Sequence, residues 1–263
     1  MAGSTDGAVP SLAVPRLRLK WADHHLDLLE KAARDFRDSD PYDFPLEKEA
    51  DGWHVWRLAV LKPPPPELGL IFGDWLHNVR AALDNLVHPL IDLAGHTPGK
   101  RRSFPIFDKA NSFKAVGKNR ISGVWDKHFA MIEGLQPYPG RDDPRILALK
   151  VIDQFSNIDK HSTVHPALAG GHRAEKVSAT LHGAPNDIVI ESRYTGYGKR
   201  LDHGTEVARA KFTSSRPLPD MEVEGEFPVE IAFGERGLFA STLPTLRRHV
   251  GTVIESFAPD FEQ

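Results

Sequence analysis

Cysteine is absent from the chain, which excludes disulfides, thiolate metal sites and thiol nucleophiles at the outset. A cysteine-free chain fits a reducing compartment. Positive charge is not in excess either. Lys and Arg number 33 against 36 Asp and Glu, for a net charge of -3. That balance disfavours a duplex nucleic-acid binder, which relies on a basic surface. No run approaches the ~18 uninterrupted apolar residues that a membrane-spanning helix needs. The opening residues, MAGSTDGAVPSLAVP, lack a basic segment followed by an apolar one, so no secretory signal is expected. These absences together point to a cytoplasmic protein with no membrane partner. Several sequence motifs are missing too: His-Glu-x-x-His, His-x-His, Gly-x-Ser-x-Gly and Gly-x-Gly-x-x-Gly do not occur. GHTPGK at Gly95–Lys100 is one residue short of a phosphate loop and has no Ser or Thr after the lysine. It also follows a helical pattern rather than a strand. No cofactor is expected from these patterns, and no metal set stands out.

What is present reads as an α+β protein. Residues 1–14 are small, polar and broken by Pro and Gly, as a disordered tail is. Residues 15–169 read as a mainly helical bundle. A first helix, from about Pro15 to Asp38, repeats Leu19, Ala22, Leu26, Leu29, Ala33 and Phe36 at helical spacing. Asp51–Leu61 is β-branched and aromatic and reads as a strand covered on both faces. The stiff KPPPP connector leads to the strongest helix signal, Glu67–Gly95. Its apolar line is Leu68, Phe72, Trp75, Val79, Leu83, Leu86, Leu90 and Leu93. Pro89 should kink this helix or end it a turn later. Further helices are predicted at Ile121–Leu135 and from Asp143 or Pro144 to about His165, with Asp143 as the cap. Residues 176–263 then switch to alternating patterns. Lys176–His182, Asp187–Tyr194, Thr205–Ser214 and Met221–Phe233 read as a four-stranded antiparallel meander, closed by a helix at Ser241–Phe257.

The chemistry concentrates on the two long helices. At ~100° per residue, His77, Arg80, Asp84 and His88 fall within an arc of ~80° on Glu67–Gly95. A row of cation, carboxylate and imidazoles suits acid/base work, phosphate clamping or part of a metal site. The later helix adds Asp153, Asn157, Lys160 and His161. The plain alternative is a wet helix face, with Arg80 and Asp84 as an ordinary (i, i+4) pair worth a few tenths of a kcal/mol. Two observations weigh against it. The row lacks the Lys/Glu mixture of a solvated face, and small residues Gly73, Ala81 and Ala82 border it, allowing close approach.

GDWLHNVRAALD at Gly73–Asp84, the Phe104-Pro105-Ile106 segment and Asp159-Lys160-His161 together resemble a family of uncharacterised bacterial proteins. That family shares a Gly-Asp-x-x-His-Asn-x-Arg-x-Ala-Leu-Asp helix, a Phe-Pro-Ile segment and a later Asp-Lys-His. The resemblance covers residues 68–165 in patches and does not reach the strands. It implies that His77, Asn78, Arg80, Asp84, Asp159, Lys160 and His161 belong to one pattern. It implies no activity. A more distant analogy, to the HEPN ribonucleases, fails on the spacing between Arg80 and His88.

Two functions follow as expectations. In the first, the two helices flank a site for an anionic, phosphate-containing ligand, a small molecule or RNA, with phosphodiester cleavage as its enzymatic form. Arg80, Lys160, Asn78, Asn157 and Asp159 would bind, His77 or His161 would move the proton, and Asp84 would orient. In the second, the same side chains are a structural polar network in a non-catalytic ligand- or partner-binding module. A His/Asp metal site from His77, His161 and Asp84 is a third and weaker expectation.

Overall fold

A computed structural model describes residues 9–100, 102–159, 164–171, 176–181, 187–218, 221–234 and 237–262. The chain is mixed helix and strand and forms two units. The first comprises Met1–Leu28, Leu70–Thr163 and Leu243–Gln263; the second comprises Leu29–Gly69 and Val164–Thr242.

The first unit is helical. It contains most of helix α1 (Ala13–Arg37) and α2 (Glu67–Leu93). Next come the short helices α3 (Ala110–Ser112) and α4 (Lys118–Arg120), on either side of a π-helical turn at Phe113–Gly117. Then follow α5 (Asp126–Gly134), α6 (Pro144–Asp159) and α7 (Leu243–Glu255). α2 is its centre. Phe72, Trp75, Leu76, Val79, Ala82, Leu83, Leu86, Val87, Leu90 and Ile91 are all at most 1% exposed, so burial extends well beyond a single heptad line. Pro89 sits inside the helix, which continues to Leu93, one turn past the lost bond to Asn85. It then stops in a Schellman motif: Gly95 N–H donates to Asp92 O, His96 N–H donates to Ile91 O, and Gly95 takes a φ of 79°. α6 starts as its sequence predicts, with Asp143 accepting from the Arg145 N–H at 2.8 Å and Pro144 in the first turn. α7 packs on α6.

The second unit carries the strands β1 (Tyr42–Asp43), β2 (Leu46–Lys48), β3 (Trp53–Arg57), β4 (Ala59–Val60) and β5 (Pro166–Gly170). It continues with β6 (Lys176–Leu181), β7 (Val189–Tyr194), β8 (Glu206–Thr213), β9 (Met221–Glu226), β10 (Val229–Phe233) and β11 (Leu238–Phe239). A four-stranded antiparallel sheet exists, in the order β2-β3-β8-β7. Its composition corrects the expected meander. β6 pairs with β9, while β7 and β8 pair with each other and β8 pairs with β3. The predicted strand Met221–Phe233 is two strands, with β10 paired to β5 and β11. Burial explains the choice. Val207, Ala208, Ala210 and Phe212 of β8 are buried beside Val55 and Trp56 of β3. β7, with Val189 and Ile190 more than half exposed, takes the sheet edge.

Candidate functional site

The polar row on α2 divides in two. His77 and His88, at its ends, are exposed. Arg80 and Asp84, in the middle, are covered by the segment Phe104–Phe107. The Phe104 N–H donates to Asp84 Oδ1 at 3.0 Å, and Arg80 Nη2 donates to the Phe104 carbonyl at 2.7 Å. Arg80 Nη2 also donates to Asp84 Oδ1 at 3.0 Å. One turn of helix therefore holds both backbone groups of one residue twenty positions further on. The (i, i+4) pair is real, but its task is to satisfy the backbone of Phe104, which is 0% exposed.

The far end of the same segment is held by Gln136, itself fully buried. Its Oε1 accepts from the Phe107 N–H at 2.9 Å. Its Nε2 donates to the carbonyls of Pro105 and Ile132, each at 2.9 Å. With both ends tied, Ile106 and Phe107 form one wall of a cleft of ≈ 410 Å³. The opposite wall is α6, which contributes Lys150, Asp153, Gln154 and Asn157 at helical (i, i+3, i+4, i+7) spacing. Arg80 lies at the base, and Asp108, Arg120 and Pro137 complete the lining. Arg120 stacks over the Phe107 ring at 5.1 Å, which fixes its charge beside that wall.

Arg80 is only half used by the packing. Its Nη1 is buried without a hydrogen bond and makes a long ion pair with Asp153 Oδ1 at 3.9 Å. Asp153 Oδ2 in turn accepts from Asn157 Nδ2 at 3.2 Å. The cleft thus holds three cations and two carboxylates, with Arg80 Nη1 buried and paired at long range with Asp153.

The other expected residues are distributed as follows. Asn78 is buried and faces α1. Its Oδ1 accepts from Arg18 Nη1 at 3.2 Å, and its Nδ2 donates to the Asp74 carbonyl at 2.9 Å. Asp159 approaches Gly73 so closely that a Cβ there would meet its Oδ1 at 3.1 Å. Asn157 lines the cleft, whereas His77 does not. Lys160 and His161 lie outside the described residues. The structure therefore brings Arg80 and Asn157 to the cleft, holds Asp84 against Arg80 and Phe104 behind it, and places His77 and Asn78 elsewhere. Among the described residues, no three His, Asp or Glu side chains gather as a metal set, and no helix is long and apolar enough to cross a membrane.

Lys150, Gln154, Arg120 and Gln136 were not singled out by the sequence. The α6 residues had a usable signal, a polar line at helical spacing. Gln136 had none, because its surroundings, Gln136-Pro137-Tyr138-Pro139-Gly140, read as loop. Compared with known proteins, the chain matches no family model, no curated protein and no solved structure.

Proposed function

We propose that the cleft between α6 and the Phe104–Phe107 segment binds a small anionic ligand, a phosphate or carboxylate compound. One observation carries this reading: three cations, Arg80, Arg120 and Lys150, line one cleft. The Arg80 guanidinium is fixed by Asp84 and the Phe104 carbonyl, so its charge is preorganised beside the cleft. Gln154 and Asn157 on the lining supply neutral hydrogen bonds.

The test uses pyrophosphate titrated into the full chain by calorimetry. Saturable binding is expected, weakened about tenfold or more when Lys150→Ala and Arg120→Ala are combined, with an unchanged melting temperature. No saturable binding, or binding indifferent to the pair, overturns the proposal. RNA cleavage that is lost in His77→Ala would replace it with the phosphodiesterase reading.

A further inference from the structure

Helix α1 carries a second apolar line besides the one it buries. Val14, Leu17, Trp21 and Leu28 are 55%, 57%, 52% and 41% exposed. With the exposed His24 they run 14, 17, 21, 24, 28, alternating steps of three and four as a coiled-coil seam does. At ~100° per residue they fall within an arc of ~80°. The buried line, Leu19, Ala22, Leu29 and Ala33, lies on a different side of the helix. The centre of the exposed line is aromatic: the Trp21 ring lies 5.2 Å from that of His24 and 6.4 Å from that of His25. A soluble surface rarely concentrates large apolar side chains this way without a partner.

We propose that this line is a self-association surface on which α1 of one copy packs antiparallel against α1 of a second copy. The flanking charges select both the occupant and the direction. Lys20 and Asp27 are exposed, opposite in sign and one heptad apart on the same flank. In an antiparallel pair, Leu17 meets Leu28 of the second copy and Trp21 meets its His24. That register sets Lys20 beside Asp27 of the second copy, and two-fold symmetry repeats the ion pair at the other end. On the opposite flank Arg18, already donating to Asn78, comes beside His25. A parallel pair would instead set Lys20 beside His25 and Asp27 beside Ala32, losing both ion pairs. The seam spans four helical turns, so the contact is small and the association weak and reversible.

The absence of cysteine makes the test clean, because Leu17→Cys and Leu28→Cys each introduce a lone thiol at an exposed position. Mixing the two variants under mild oxidation should give a disulfide-linked dimer, and either variant alone should not. Cross-linking of Leu17→Cys with itself would mean a parallel pair and would overturn the proposal. Sedimentation provides the second arm. Lys20→Asp and Asp27→Lys should each weaken dimerisation roughly tenfold or more by setting like charges together, and the double substitution should restore it. A chain that stays monomeric at every concentration, leaving the line to a different protein or to none, refutes the inference, as does a dimer indifferent to the charge swap.

Discussion

Replacing Asp84 with alanine separates a solvated helix face from a structural clamp, because the two differ in expected cost by an order of magnitude. If Arg80 and Asp84 were only an exposed (i, i+4) pair, the loss would be about 0.3–0.5 kcal/mol. In the structure Asp84 Oδ1 accepts from two donors, the Phe104 N–H and Arg80 Nη2. Removing it leaves the N–H of a fully buried residue unsatisfied, at about 1–3 kcal/mol. It also removes a charge-assisted bond to a guanidinium whose side chain is 13% exposed, at about 1.5–3 kcal/mol. Because the Asp84 side chain is itself 34% exposed, water recovers part of both terms, and a loss of about 2–4 kcal/mol is expected. Urea unfolding followed by tryptophan fluorescence measures it. Arg80→Ala should cost a similar amount, and the double variant much less than the sum, because both singles break one network. A loss under about 0.5 kcal/mol for Asp84→Ala, typical of an unconstrained surface site, would refute the clamp.

Two further outcomes can be checked by the same assay. Gly69→Ala should destabilise by about 1–3 kcal/mol, as overpacking does, because its Cβ would lie 2.3 Å from the Val164 carbonyl oxygen; a silent substitution would show that the backbone there moves aside freely. Asp260 accepts from the Lys127 ammonium and pairs with the fully buried His128 at 2.8 Å, and these two neighbours, Lys127 first, hold its carboxyl below the ordinary value of 3.8. A lowered native value means that this stabilisation is complete above pH 3.8 and disappears as pH falls through the native value. Asp260→Asn should therefore flatten the acid limb of the stability profile, and parallel acid limbs for wild type and variant would contradict the assignment.

The long helices were legible because each writes its period within one stretch of chain, whereas the short α3 and α4 fell in a stretch that reads as loop and α5 begins at Asp126, later than its predicted start at Ile121. α2 appears at Glu67–Leu93 almost where its apolar line begins and ends, and Asp143-Pro144 marks the start of α6. Strand pairing was not legible in the same way. β3 and β8 are joined by Trp53 facing Lys211, 158 residues apart (211 − 53), and alternation on either strand names no partner. The polar row on α2 was found, but whether it was wet depended on Phe104, and a loop's path over a helix leaves no periodic trace. The cleft was half visible for the same reason. The α6 line could be read, whereas the wall of Ile106 and Phe107 is placed by Gln136, a polar side chain whose burial its own sequence neighbourhood does not announce.

The two units interleave along the chain. Vectorial synthesis delivers α2 and α6 before most of the strands, but α7, which packs on α6, only after all of them. The strands wait as well, since β3 emerges long before β8, its neighbour in the sheet. During translation α6 can meet α2 at once, Phe155 against Phe72, but its face toward α7 stays uncovered until β5 to β11 have all been made.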